Sequence, residues 1–213
     1  MVVWGIVLAI SYLVRRFMVQ YIGDVAVYLS ASRVSQFDEL RDKIQEVAKK
    51  VASAVYKEGG YGNHVIVGHS LGSVVGYDTL NGLLTEDRLV DNLHVLKRTA
   101  LFLTFGSPLD KTAFIFRTQA ADAEVREALA AAVQPMISND SLKRPKWINI
   151  FSRHDPISGR LDYYDDRSTP NDREVLNLED NEAAIPLIAH TQYWGNDLLT
   201  KALFEGCAAS LRR

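Results

Sequence analysis

The chain has 213 residues, of which 47% are hydrophobic and 23% charged, and its formal net charge at pH 7 is −2. These values are ordinary for a soluble globular protein with a sizeable core, so we expect one domain spanning residues 1–213. The basic residues are dispersed, which argues against a nucleic-acid partner. The single cysteine, Cys207, excludes an internal disulfide and a cysteine-based zinc site. We expect its side chain to be half-buried and the protein to be cytoplasmic.

The first predicted element is an apolar helix over residues 1–22. Residues 1–14 are nearly all apolar, and Arg15 and Arg16 follow them. This stretch is too short to span a bilayer, and the order of its charges is wrong for a signal peptide. A helix packed against the core is therefore favoured. The alternatives are a membrane-surface anchor, the remnant of a spanning segment, or a homodimer contact through residues 1–30.

Residues 24–30 form a short apolar stretch that is either a strand or an extended connection. The clearest helix follows over residues 36–56, where Ser35 and Asp38 form a capping pair. Side chains three and four residues apart predict its buried face: Phe37, Leu40, Ile44, Val47, Val51 and Val55.

The most informative feature is the stretch from residue 64 to residue 72, which reads HVIVGHSLG. Its β-branched residues predict a strand, and the apolar pattern after it predicts a helix. Gly-x-Ser-x-Gly between a strand and a helix is the pattern of a nucleophile elbow, in which Ser70 is exposed on a strained turn. Gly68 and Gly72 are expected to avoid clashes with the turn. An ordinary strand–turn–helix with a capping serine is the alternative, because the five-residue pattern also arises by chance.

Three more strands are predicted, over residues 99–105, 147–152 and 175–178. An alanine-rich helix is expected over residues 120–133, and a closing helix over residues 191–211. The apolar residues predicted to share the buried face of the closing helix are Trp194, Leu198, Leu199, Ala202 and Leu203. The alternation of strands and helices predicts an α/β fold with a mostly parallel sheet, flanked by helices and shortened in its N-terminal part.

A serine nucleophile needs a base within hydrogen-bond reach, and the base needs an orienting acid. In this architecture the chain order is serine, acid, histidine, and the acid follows a later strand. Asp155 follows the strand over 147–152, and Asp110 is the less favoured alternative. Of the five histidines, His190 satisfies the order at a plausible place. His64 lies at the wrong end of a strand, and His69 lies inside the elbow. His94 lies before the next strand, and His154 lies beside the acid.

An oxyanion hole needs two hydrogen-bond donors, and the backbone N–H of Leu71 is expected to be one. No Gly-rich loop after an early strand is found for the second donor. Three explanations stay open. Residues 2–10 could form that strand with an atypical loop near Ser11, the sheet could be truncated, or another chain could contribute the donor.

Four blocks together resemble a bacterial serine esterase or lipase of the α/β-hydrolase superfamily: VIVGHSLGSVVGYDTL, LTFGSPL, INIFSRHDPISG and AHTQYW. They lie within residues 36–200. The resemblance implies a reduced α/β-hydrolase fold in which Ser70 is the nucleophile, Asp155 the acid and His190 the base. It implies a carboxylic ester hydrolase that forms an acyl-enzyme on small-molecule or lipid esters with short-to-medium acyl chains, without a metal or organic cofactor.

Segments 111–145 and 159–174 are expected to cover an acyl pocket. Their aromatic and apolar residues either line this pocket or pack in the core: Phe114, Phe116, Met136, Tyr163 and Tyr164. Two alternative functions stay open. One is an acyltransferase or thioesterase with the same triad, and the other is a catalytically silent hydrolase-fold interaction module.

Overall fold

In a computed structural model of the chain, the described residues are 2–17, 19, 23, 35–90, 92–111, 145–165, 175–186 and 188–208. Several predictions lie outside them: the apolar stretch over 24–30, the helix over 120–133, most of the two covering segments, and Phe114, Phe116 and Met136.

A parallel sheet of four strands lies at the centre of the described part of the chain. The strands follow one another across the sheet in chain order: β1 (His64–His69), β2 (Thr99–Phe105), β3 (Trp147–Phe151) and β4 (Leu176–Glu179). β2 and β3 are buried along almost their whole length, which explains their nearly continuous apolar sequences. The predicted α/β class with a parallel sheet and flanking helices is confirmed.

Helices cover both faces of the sheet. Successive side chains of a strand point to opposite faces, so Phe102 and Trp147 pack on one side while Leu101 and Ile148 pack on the other. Helix α3 (Leu71–Val90) covers the first side with four buried apolar side chains: Val74, Tyr77, Leu80 and Leu83. Helix α6 (Asp197–Ala208) covers the second side with Leu199 and Ala202.

Helix α2 (Ser35–Lys57) packs against α3, with a different face from the one predicted. Arg41 Nη2 and Gln45 Nε2 donate to Asp78 Oδ2 on α3, at 3.2 and 2.8 Å. This polar contact turns the helix so that Ile44 and Ala52 join the core. The remaining apolar residues of the predicted face that the structure describes are 45% to 61% exposed: Leu40, Val47, Val51 and Val55.

Helix α1 (Val2–Phe17) is helical as predicted, but the expectation that it packs against the core is wrong. Every side chain from Val3 to Arg16 is exposed. The alternative that residues 2–10 form an early strand is also wrong, because the regular 3.6-residue spacing of the apolar side chains favours a helix. Within the described ranges, no helix combines the length and the apolar composition needed to cross a membrane.

The closing helix begins later than predicted. Helix α5 (Ala189–Gln192) runs into a 3₁₀ turn (Tyr193–Gly195), and Asn196 is extended, with φ −94° and ψ 142°, before α6 begins. Asn196 Nδ2 donates to Asp180 Oδ2 at 2.7 Å, which fixes the break beside the end of β4. Because the helix is broken there, Trp194 is 63% exposed instead of buried. Cys207, predicted half-buried, is exposed on α6.

A short helix, α4 (Val95–Arg98), precedes β2 and was not predicted. The carboxylate of Asp87, near the end of α3, accepts hydrogen bonds from the backbone N–H groups of Leu93, His94 and Val95, at 2.7 to 3.0 Å. These bonds satisfy N–H groups at the start of α4 and position the strand that follows.

Candidate active site

The turn between β1 and α3 holds Ser70 in a left-handed backbone conformation, with φ 52°. A non-glycine residue in this region carries strain of about 1–3 kcal/mol, which the surroundings must offset. The N–H of Ser70 donates to Phe105 O on β2, at 3.1 Å, and its carbonyl accepts from the N–H of Ser73, at 2.9 Å. These bonds hold the turn rigidly at the carboxyl end of the sheet.

The hydroxyl groups of Ser73 and Ser107 stabilise the turn through hydrogen bonds. Ser73 Oγ donates to Ser70 O at 2.5 Å and lies 2.7 Å from Ser107 Oγ. Because the Ser73 hydroxyl donates its proton to Ser70 O, the Ser107 hydroxyl donates to Ser73 Oγ. The N–H of Leu109 in turn donates to Ser107 Oγ at 3.3 Å. Ser73 and Ser107 are both fully buried. The loop after β2 therefore braces the serine turn after β1.

The two glycines of the motif differ in their surroundings. A Cβ atom on Gly68 would lie 2.5 Å from Ser73 Cα and 2.8 Å from Gly72 O, so no side chain fits there. A Cβ atom on Gly72 would meet nothing within 4 Å. The prediction that both glycines avoid a clash is therefore wrong for Gly72, because this residue lies on the exposed side of the first turn of α3.

The structure brings together the three side chains that the sequence grouped. Ser70 Oγ lies 2.8 Å from His190 Nε2, and His190 Nδ1 lies 2.9 Å from Asp155 Oδ2. A carboxylate oxygen accepts, so Nδ1 carries the proton and Nε2 accepts the hydrogen bond of the Ser70 hydroxyl. His190 and Asp155 are buried, at 0% and 2% exposure. This arrangement is that of a nucleophile, a base and an orienting acid.

Asp155 keeps its negative charge because hydrogen bonds oppose the effect of burial. Burial raises the pKa of its carboxyl, but the hydrogen bond and charge of His190, the N–H of Ile157 and the hydroxyl of Tyr193 together hold this pKa below its ordinary value. Ile157 N–H donates to Oδ1 and Tyr193 OH to Oδ2, each at 2.9 Å. An ionised Asp155 both fixes the tautomer of His190 and stabilises its charged form.

Tyr193 is a residue of the site that the sequence analysis did not assign. Its hydroxyl donates to Asp155 and also lies 2.9 Å from Ser158 Oγ. Burial and the Asp155 charge raise the pKa of Tyr193 well above its ordinary value, so the hydroxyl stays protonated and can donate. The signal was present: Tyr193 is three residues after His190, a spacing that places two helical side chains on one side.

His69, inside the motif, contacts the base through its backbone. His69 Nε2 lies 2.9 Å from the carbonyl oxygen of His190. Because a carbonyl can only accept, Nε2 carries the proton. The His69 ring packs against the rings of Phe105 and Trp194, with ring centroids 4.8 and 5.5 Å away. Burial lowers the pKa of His69, so the ring is neutral at pH 7.

Gly106 allows these rings to approach one another. It follows β2 with φ 58°, and a Cβ atom there would lie 3.2 Å from His69 Nε2 and 3.2 Å from Tyr193 Cε2. Both the backbone conformation and the space favour glycine. The loop that ends β2 is thus shaped to the histidine and tyrosine beside the site.

The alternative site residues lie elsewhere. The carboxylate of Asp110 accepts from the Nζ of Lys111, at 2.7 and 3.0 Å, and packs against Gly159. His154 and His94 are exposed, and His64 lies at the opposite end of β1 from Ser70. Of the proposed pocket residues, Tyr164 belongs to the core, where it packs on Trp147 and donates to Leu109 O, and Tyr163 is 41% exposed.

The backbone N–H of Leu71 was expected to be one oxyanion donor. The N–H of Leu71 belongs to the first turn of α3, where backbone N–H groups have no acceptor in a preceding turn and the helix dipole favours negative charge. The second donor was expected from a loop after an early strand. Among the described strands, β1 pairs only with β2, so no described strand lies on its other side. The role of Leu71 as an oxyanion donor stays a prediction, and the described strands supply no loop for a second donor.

Comparisons with models of protein families, with curated proteins and with solved structures found no match to this chain. Its function is therefore inferred from the geometry of these side chains and from the sequence motifs that carry them.

Proposed function

We propose that this protein is a serine hydrolase with a reduced α/β-hydrolase fold that cleaves carboxylic esters. The observation that carries the proposal is the continuous hydrogen-bonded line from Ser70 Oγ through His190 to Asp155. The line stands at the carboxyl ends of parallel strands, where ligands bind in open α/β sheets. The strained serine turn at the start of a helix supports the same assignment.

The geometry suits a two-step acyl transfer. Ser70 Oγ attacks the carbonyl carbon of the ester while His190 Nε2 takes its proton. Asp155 stabilises the charged His190 that results, and the N–H of Leu71 donates to the developing oxyanion. The tetrahedral intermediate collapses, His190 returns the proton to the leaving alcohol, and an acyl ester remains on Ser70. A water molecule, deprotonated by His190, then attacks this ester. His190 returns that proton to Ser70 Oγ as the acid is released.

The aromatic surface beside Ser70 favours a substrate with an apolar group. Trp194 is 63% exposed, and its ring contacts the rings of His69 and Phe105 next to the base. An exposed tryptophan at this place gives an acyl chain or an alkyl alcohol apolar surface to pack against. Small-molecule and lipid esters both meet this requirement.

The first test is whether Ser70 reacts as a nucleophile. We expect a fluorophosphonate probe to label Ser70 in the folded protein, and p-nitrophenyl esters of increasing acyl length to be hydrolysed. Ser70→Ala should abolish labelling and lower kcat/KM by roughly 10⁴-fold or more. Ser53→Ala is the matched control, because Ser53 lies on α2, away from the sheet edge that carries the site.

The same assay separates the alternatives. Equal turnover by wild type and Ser70→Ala would contradict the hydrolase assignment. Folded protein that the probe does not label would instead indicate a catalytically silent interaction module. The argument for this alternative is that no second oxyanion donor has been found among the described residues. Faster turnover of thioesters than of esters, or acyl transfer to an added alcohol in preference to water, would indicate a thioesterase or an acyltransferase.

A further inference from the structure

Helix α1 exposes apolar side chains along its whole length. Six aliphatic side chains, spaced three and four residues apart on one side of the helix, are 39% to 71% exposed: Val3, Ile6, Val7, Ile10, Leu13 and Val14. A continuous exposed apolar stripe of this length is unfavourable in water and marks a surface that binds something.

The other side of α1 carries Leu8, which is 68% exposed, together with residues that favour a membrane interface. Trp4 and Tyr12 are 73% and 64% exposed, and Arg15 and Arg16 lie in the last turn. Tryptophan and tyrosine favour the headgroup level of a bilayer, and arginine binds anionic headgroups. The part of this helix that the structure describes, Val2–Phe17, is about 24 Å long, against a hydrocarbon core of roughly 30 Å.

We propose that α1 lies in the surface of a lipid bilayer that contains anionic lipids. Its aliphatic stripe inserts among the acyl chains, and Arg15 and Arg16 bind the headgroups. The charge distribution favours this occupant over a second copy that packs through its own α1, because two basic helices would then lie side by side. α1 has no acidic residue while the whole chain has a net charge of −2, so a basic helix belongs to an acidic protein. An anionic surface attracts the helix and repels the rest of the protein, which orients the molecule.

Vesicle co-sedimentation of the full chain tests this proposal without reference to catalysis. The probes are two kinds of vesicle, one of phosphatidylcholine alone and one in which roughly 30% of the lipid is phosphatidylglycerol. Phosphatidylglycerol is anionic, and basic protein segments bind membranes that contain anionic lipid more tightly. We expect the anionic vesicles to bind the protein at least roughly tenfold more tightly, and added salt to weaken this preference. Ile10→Asp should lower binding to both vesicles by on the order of tenfold or more. Arg15→Gln with Arg16→Gln should remove only the preference for anionic lipid.

Leu89→Asp is the control, because Leu89 is an exposed apolar residue, 82% exposed, near the end of α3. It should bind vesicles as the wild type does. Circular dichroism checks that each variant is folded. Protein that stays in the supernatant with both vesicles would overturn the proposal, as would binding that Ile10→Asp leaves unchanged. A dimer that Ile10→Asp dissociates, without any vesicle binding, would assign the stripe to a second copy and overturn it as well.

Discussion

The imidazole of His69 donates a hydrogen bond, 2.9 Å long, to the backbone carbonyl of His190. The residue that precedes the proposed nucleophile therefore holds the main chain of the proposed base. Their rings are also close, with centroids 4.9 Å apart. Because His69 is the last residue of β1 and directly precedes Ser70, the positions of nucleophile and base are coupled through one side chain. His69 is a positioning residue in this proposal, since it reaches the chemistry only through His190.

Replacing His69 tests this coupling. His69→Leu removes the donor, so we expect kcat to fall by roughly ten- to a hundredfold with little change in KM, because a small misplacement of a catalytic group is costly. His69→Gln keeps an amide donor and should recover part of the loss. Steady-state kinetics on a p-nitrophenyl ester measure both. His154→Leu, at an exposed histidine, is the control. Equal kcat values for His69→Leu and wild type would contradict a positioning role.

Tyr193→Phe removes a hydrogen bond to a buried carboxylate. The free energy of unfolding at pH 7 should fall by about 1.5–3 kcal/mol, measured by urea unfolding. The pKa of Asp155 should rise, because one donor that lowers it is lost. Asp155 contributes stability that is present at neutral pH and lost as pH falls through its folded pKa. The variant should therefore lose stability at a higher pH than the wild type.

The matched control is Tyr163→Phe, because Tyr163 is 41% exposed and Tyr193 is fully buried. This variant should unfold within about 0.5 kcal/mol of the wild type, as surface substitutions usually do. If both tyrosine variants were equally stable, the Tyr193 hydroxyl would have no part in holding Asp155.

His64→Phe should stabilise the protein. His64 is buried against Tyr56, with ring centroids 4.3 Å apart, and among the described residues its Nε2 is a buried atom without a hydrogen-bond partner. An unpaired buried polar atom costs about 1–3 kcal/mol, so a phenyl ring should raise the free energy of unfolding by about 1 kcal/mol at pH 7. Urea unfolding measures this change.

The gain should grow on acidification. Burial and the charge of Arg98 lower the pKa of His64 in the folded protein. The unfolded chain therefore binds more protons as pH falls below the ordinary value of 6.5, and the folded state loses stability until pH has passed below the folded pKa. His64→Phe removes this loss, whereas His154→Phe, at an exposed histidine, should not. A variant less stable than wild type at both pH 7 and pH 5 would contradict the prediction.

Alanine substitutions at the two glycines of the motif should have opposite effects. Gly68→Ala would force a Cβ atom to 2.5 Å from Ser73 Cα, so the serine turn must move. We expect a loss of about 1–3 kcal/mol in stability and a large drop in fluorophosphonate labelling. Gly72→Ala places its Cβ in open space within a helix, which should gain about 0.5–1 kcal/mol and keep labelling. Equal labelling of the two variants would show that the turn tolerates a side chain at position 68.

Local patterns predicted the elements that depend on local chemistry. Strand β2 begins and ends at the predicted residues. A short, continuous apolar run between a polar segment and Gly-Ser-Pro is typical of a buried strand. Helix α2 was predicted within a few residues, but its buried face was not. Arg41 and Gln45 meet Asp78 on α3, and a polar contact of this kind between helices leaves no periodic signal.

The motif around Ser70 and the order of Ser70, Asp155 and His190 along the chain were enough to predict which side chains would meet. Strand order in the parallel sheet is a strong constraint, and it places the ends of β1 and β3 at one edge. The contacts of His69 and Tyr193 with this group were decided by tertiary structure. They depend on the break in the closing helix at Asn196 and on how each helix is rotated about its own axis. They also depend on the space that the missing side chain of Gly106 leaves. Those features arise from packing between segments up to about 120 residues apart, which the periodicity of any one segment does not encode.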